Sequence, residues 1–262
     1  MIKEMKKIAT LFFVFSLMLT SFTAGAQPLR GDVNLDGNVS IGDVTTLIDY
    51  LLTGQWPEAN HEWVDLGLPS GTLWATCNVG ACAPEEYGDY FAWGETEPKD
   101  VYNWDTYKWC YGGCSVCLTK YCTDSENGHV DNKTELDPED DAACVNWGPS
   151  WRMPTLGQFL ELYDNCTSQW TTRNGVNGYL LTGPNGKTLF LPAAGYRSDG
   201  SLYYAGSRGA YWLPTLDTVI MWDYPYDGYA YNLSFSDDDE GFYSEPECSR
   251  SLGFTVRAVR VP

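Results

Sequence analysis

Positions 32 to 43 read Asp-Val-Asn-Leu-Asp-Gly-Asn-Val-Ser-Ile-Gly-Asp, and such a stretch has few conformations open to it. Asp32, Asn34 and Asp36 alternate, Gly37 follows, and Asp43 closes a loop of twelve. A hard cation such as Ca²⁺ takes six to eight oxygen ligands at flexible geometry. Here the side chains at loop positions 1, 3, 5 and 12 supply oxygens, and position 7, Asn38, supplies its backbone carbonyl. Ser40 at position 9 ligates directly or through water. Gly37 permits the sharp turn that gathers these oxygens, and Val39 is expected to pin the loop to a core. The metal set is therefore Asp32, Asn34, Asp36, Asn38, Ser40 and Asp43, with calcium as the cofactor. Asp43 is shorter than the Glu usual at position 12, which lowers its reach for bidentate ligation. The other reading of the stretch is a polar turn without metal.

The next segment fits a loop that runs into a helix. Val44, Leu47, Ile48 and Leu51 fall at i, i+3, i+4 and i+7, the stripe of an amphipathic helix, and Thr53-Gly54 is a reasonable stop. Gln27 to Gly31 is too short for an entering helix. The string from Gly31 through Gly54 resembles one repeat of a type I dockerin, the calcium-dependent module that plugs secreted polysaccharide-degrading proteins into cohesin partners. That family carries two such repeats, and no second Asp-x-Asn-x-Asp-Gly occurs here. The partner-reading positions of the family fall on Ile41-Gly42 and Ile48-Asp49, which are not its usual hydroxyl and basic residues. The apolar helix face of a lone repeat is expected to pack on the downstream domain or on a second molecule.

Residues 1–26 read as a targeting segment: Lys3, Lys6 and Lys7, an apolar run from Ile8 to Leu19, and an Ala24-Gly25-Ala26 cut site. The apolar run is short for a membrane span. Cleavage after Ala26 implies a secreted or cell-surface protein, with the periplasm as the other destination. The formal charge of −19 becomes −21 once three Lys and one Glu leave with this segment. Such a balance excludes a general nucleic-acid role, because phosphate binding needs clustered Lys and Arg.

Residues 57–60 are expected to be a linker, and 61–262 a second domain. Short strand-like runs at Val64–Leu68, Thr72–Thr76 and Tyr87–Trp93 lie between Gly and Pro. Glu95 to Ala142 has little periodicity and reads as a long ordered loop region. Thr155 and Gln158 form a capping box for a helix ending near Asn165, with Leu156, Phe159, Leu160 and Tyr163 as its expected buried face. Tyr179–Thr182 and Lys187–Leu191 flank an Asn185-Gly186 hairpin turn. Tyr211–Leu213, Tyr229–Phe235 and Phe254–Val261 are further strands.

Five motifs occur in order: His61 to Thr76, Gly88 to Glu95, Trp151 to Thr155, Phe190 to Arg197, and Gly253 to Arg257. Together they resemble the Fibrobacter succinogenes major paralogous domain, found in surface and secreted proteins of anaerobic bacteria. The resemblance implies a C-type-lectin-like fold. The expected class is thus α+β, with small antiparallel sheets, one or two helices and long irregular loops, preceded by a calcium loop and helix. Glu97-Pro98-Lys99 and Trp222-Asp223 depart from the triplet and strand motifs of calcium-dependent lectins.

Nine Cys follow the targeting segment, and an oxidising destination makes disulfides the default. Cys110, Cys114, Cys117 and Cys122 cluster and are the disulfide candidates, with a four-thiolate zinc site as the other reading. The acidic runs Asp137–Asp141 and Asp237–Glu240 read as solvated faces or a second calcium site. His61 and His129 are expected to face solvent. No nucleophile elbow, zinc-protease helix or phosphate loop is visible. With 11 Trp and 18 Tyr, a sugar-stacking surface is within the chain's means, and Tyr203, Tyr204, Trp212 and Tyr224 are the expected contributors. Three functions remain open. The chain is a non-catalytic attachment module that recognises polysaccharide or glycan, an enzyme hydrolysing O-glycosyl bonds, or an adhesive subunit that binds a cohesin-like or other surface protein.

Overall fold

The computed structural model describes residues 61–218, 220–221, 224–237 and 243–260, together with Val44, Leu47, Ile48 and Leu51. Residues 1–26, the loop 32–43 and the linker 57–60 lie outside the described residues. The chain divides into two compact units, 1–60 and 61–262.

In the second unit, β1 (Trp63–Asp65) and β2 (Leu73–Ala75) lead into a long stretch whose only helical turns are short 3-10 segments at Trp104–Thr106 and Pro138–Asp140. Then come α1 (Ala142–Trp147) and α2 (Leu156–Asn165). The rest is strand: β3 (Thr167–Arg173), β4 (Val176–Thr182), β5 (Thr188–Pro192), β6 (Tyr196–Ser198), β7 (Ser201–Tyr203), β8 (Arg208–Asp217), β9 (Ile220–Met221), β10 (Tyr224–Pro225), β11 (Tyr229–Ser236), β12 (Tyr243–Ser249) and β13 (Val259–Arg260). Three sheets of three strands form, ordered β1-β2-β13, β3-β4-β5 and β12-β11-β8, all antiparallel. The α+β class is therefore correct.

Each element has a local cause. Asn174 and Gly175 both take positive φ, which turns β3 back on β4 in two residues with the twist hairpins favour. Thr155 caps α2 through Gln158 as expected. The buried face of that helix is Phe159 and Leu162, whereas Leu160 and Tyr163 are about half exposed, which corrects the expected stripe. The run 87–93 forms no strand: Asp89 N–H donates to Val79, Phe91 N–H to Phe254 and Trp93 N–H to Arg250, so its bonds are split between the segment at 79 and the segment 250–254 instead of forming one ladder.

The five motifs build the interior. The hydroxyls of Tyr90 and Tyr211 donate to the carbonyls of Ala194 (2.6 Å) and Pro192 (2.8 Å). Trp93 Nε1 donates to Leu213 and Trp212 Nε1 to Phe91. Arg257 is fully buried, and its donors reach Asn78 Oδ1 and the carbonyls of Ala75, Thr76 and Phe190. Arg250 is equally buried against Tyr107, the carbonyls of Tyr121, Asp227 and Lys120, and the Trp93 ring at 4.8 Å. Burial depresses the Arg257 pKa, yet a guanidinium stays charged, so each must be surrounded by acceptors. These two cations cross-brace loops that the short sheets alone could not hold.

Asp140 and Asp141 of the acidic run 137–141 turn inward. Asp141 Oδ1 caps α1 by accepting from Ala143 N (2.8 Å) and Cys144 N (3.2 Å), and its Oδ2 accepts from Met153 N (2.8 Å). Asp140 is 2% exposed and accepts from Lys120 and the Tyr121 hydroxyl. The expected solvated face thus fails at Asp140 and Asp141, while Glu139 is exposed, as is Asp237 from the second run.

Candidate functional site

In the first unit Val44, Leu47, Ile48 and Leu51 are helical, and they are the four positions of the expected stripe. Leu47 is half-buried, while Val44, Ile48 and Leu51 are 50%, 49% and 55% exposed. Leaving these apolar side chains in water is costly. The oxygen ligands expected just before them, Asp32, Asn34, Asp36, Asn38, Ser40 and Asp43, lie outside the described residues.

In the second unit Trp63, Tyr111 and Tyr163 are exposed at separate points of the chain, whereas the exposed Tyr203 and Tyr204 lie side by side at the end of the β6–β7 hairpin. Its register pairs Tyr196 with Tyr203, Arg197 with Leu202 and Ser198 with Ser201. Asp199 (φ 50°) and Gly200 make the two-residue turn. Asn103 Nδ2 donates to Asp199 Oδ1 at 2.9 Å, and Tyr102 and Asp199 exchange backbone bonds of 2.8 and 2.9 Å, so the tip is tied down. The Tyr196 ring stacks on Tyr203 (5.7 Å, 26°), lies 5.8 Å from Tyr204, and backs onto Phe254. Tyr203 and Tyr204 are 43% and 59% exposed, and Leu202 beside them is 40% exposed.

Tyr204 also has φ 55°. A bulky residue in the left-handed region costs about 1–2 kcal/mol, and such strain persists only where the surroundings impose it. They do so here: the Tyr204 carbonyl accepts from the N–H groups of Ser207 and Arg208, and Gly195 leaves no room, a Cβ there falling 2.0 Å from the Tyr203 carbonyl. The result is a braced pair of tyrosine faces held out in water. Such faces stack on the apolar sides of ring compounds while their hydroxyls remain free for hydrogen bonds.

Of the expected contributors, Tyr203 and Tyr204 are brought together at this surface. Trp212 is not: it is fully buried, stacked on Phe254 at 4.2 Å, because the whole of β8 around it lies in the core. Tyr224 lies in β10, and its side chain is outside the description. Tyr196 and Asp199 belong to the platform and were missed, although the Asp199-Gly200 dipeptide is a strong hairpin signal.

The four clustered cysteines do not form one group. Cys110, Cys114, Cys117 and Cys122 are free thiols. Cys122 is buried, its thiol directed at the Asp124 carbonyl (3.1 Å), and burial pushes its pKa up to about 11. Among the described residues no group of three or more His, Cys, Asp or Glu could hold a metal ion. His129 is exposed as expected. His61 is half-buried and does not simply face solvent as expected: its ring stacks on Trp147 at 3.8 Å and meets Trp151 edge-on, and burial lowers its pKa to about 4. No helix among the described residues is long and apolar enough to cross a membrane.

Residues 30–66 match the type I dockerin domain. The matched segment runs from Arg30 through the twelve-residue loop and the apolar helix stripe into β1. No curated protein and no solved structure matches the chain. The match supports a dockerin domain and calcium as its ion.

Proposed function

We propose that the chain is an exported, non-catalytic component of a polysaccharide-degrading assembly. Residues 27–56 form its calcium-dependent plug for a cohesin-like partner, and residues 61–262 form a lectin-like module that recognises a glycan. The observation that carries this reading is the type I dockerin match over residues 30–66. The donor set in the loop is all oxygen, which suits a hard cation and not a soft one. Asp32, Asn34, Asp36, Ser40 and Asp43 hold the ion with the Asn38 carbonyl. Drawing those carboxylates to one centre fixes the start of the helix at Val44, and with it the apolar face that a partner covers. The glycan half of the reading is supported by the braced pair Tyr203 and Tyr204.

Calorimetry on residues 27–262 should show calcium binding that vanishes in the Asp32→Ala/Asp36→Ala double variant. Capture on an immobilised type I cohesin should occur with calcium and fail with a chelator. Binding to insoluble polysaccharide should fall in the Tyr203→Ala/Tyr204→Ala variant while cohesin capture persists. Undiminished calcium heat in the loop variant, or no capture at any calcium level, sinks the plug. Polysaccharide binding unchanged by loss of both tyrosines sinks the platform.

A further inference from the structure

The loop 110–118 is a small hairpin that carries three thiols within nine residues. Cys110 bridges to Leu118, Tyr111 N–H donates to the Cys117 carbonyl at 2.9 Å, and Thr119 N–H donates to the Trp109 carbonyl at 3.0 Å. Its end is a tight turn, Cys114-Ser115-Val116-Cys117, closed by Cys117 N–H on the Cys114 carbonyl at 3.1 Å. A turn closed in this way holds its first and last Cα within about 7 Å. A disulfide needs Cα atoms about 4.4–6.8 Å apart. The turn therefore brings Cys114 and Cys117 into the range that a bond between them requires. Both are partly exposed, and Tyr111 and Val116 beside them are 80% and 46% exposed, so a reagent can reach the pair.

The other thiols are placed differently. Residues paired across a bridge point to one side and their neighbours to the other, so Cys110, opposite Leu118, leans away from Cys117. The Cys110 thiol is directed at the carbonyls of Trp104 (3.1 Å) and Tyr107 (3.5 Å). Cys122 is buried outside the hairpin.

We infer that Cys114 and Cys117 are a disulfide site: the turn closes into a Cys114–Cys117 bond when it meets a disulfide donor, with Cys110 as the neighbouring thiol able to exchange into it. In the reaction, the thiolate of one cysteine attacks the donor's sulfur and expels one thiolate. The second cysteine's thiolate then attacks the mixed disulfide and expels the other. Two protein thiols give up two electrons and two protons, and one donor disulfide becomes two thiols. The bond fixes the tip that carries Tyr111 and Val116. Because it closes only a short loop, it adds little to global stability and stays open to exchange.

The test uses the full chain, reduced and then exposed to oxidised glutathione. Remaining thiols are alkylated, and the protein is cut with trypsin and chymotrypsin. Cleavage after Tyr111 and Lys120 separates Cys110 from the other two. The expected fragment 112–120 is two hydrogens lighter and unalkylated, while Cys110 is alkylated. In Cys117→Ser, Cys110 should instead link to Cys114. In Cys122→Ser, the light fragment should persist. Alkylation of all three hairpin cysteines, a Cys110–Cys114 bond in the unsubstituted protein, or loss of the light fragment in Cys122→Ser each overturns the assignment.

Discussion

Lowering the pH should unfold this protein partly through His61. The ring is stacked on Trp147 at 3.8 Å, and its buried Nε2 has no hydrogen-bond partner among the described residues. Burial lowers its pKa from 6.5 to about 4. In the unfolded chain the same ring protonates near 6.5, so between these values the unfolded state binds the extra proton. The contribution is therefore whole above pH 6.5 and is lost as pH falls toward about 4. That gap would correspond to about 3 kcal/mol at full effect. The ring is only partly buried, so solvent screening reduces the loss to about 1–2 kcal/mol. A cation on the Trp147 face gains some attraction, which trims it further. Against that, Arg260 already lies over Trp151 at 5.6 Å, so a charged His61 shares this aromatic pair with another cation. Urea unfolding of the parent and of His61→Phe, stepped from about pH 7.5 to about pH 4.5, isolates the effect, because acid titration of the carboxylates is common to both. The parent should lose about 1–2 kcal/mol more than the variant over that range. Parallel losses in the two proteins, or a His61 NMR titration at or above 6.5, would refute the reasoning.

Asp141→Ala removes the α1 cap and the acceptor for buried Met153 N–H, so chemical denaturation should report a loss of about 2–4 kcal/mol. Arg257→Met leaves acceptors at Asn78, Ala75, Thr76 and Phe190 facing an apolar chain, and should cost at least about 3 kcal/mol by the same measurement. Tyr204→Gly relieves the left-handed backbone, so it should hold stability within about 1 kcal/mol of the parent while weakening binding to polysaccharide. A stability fall well beyond that would mean that the ring, and not the strain, dominates at this position.

Local chemistry was legible wherever a few adjacent residues decide the outcome. The Thr155–Gln158 capping box, the Asn185-Gly186 turn and the helical stripe at Val44, Leu47, Ile48 and Leu51 all follow from short spacings. The Asn174-Gly175 and Asp199-Gly200 turns are written in equally short spacings. Which side of α2 is buried was not legible, because Leu160 and Leu162 are both apolar and only the neighbouring sheets choose between them.

By itself the sequence determined the calcium-type donor spacing, the α+β class and the dockerin resemblance, since each depends on residue identity over a short span. Tertiary structure alone decided that Asp140 and Asp141 turn inward, that Trp212 is core and that Tyr203 and Tyr204 share a surface. Those outcomes depend on partners remote in the chain: Trp212 on Phe91, 121 residues away, and Arg257 on Ala75, 182 residues away. A carboxylate or an indole carries the same local signature whether it meets water or a buried donor. Only long-range packing supplies the donor.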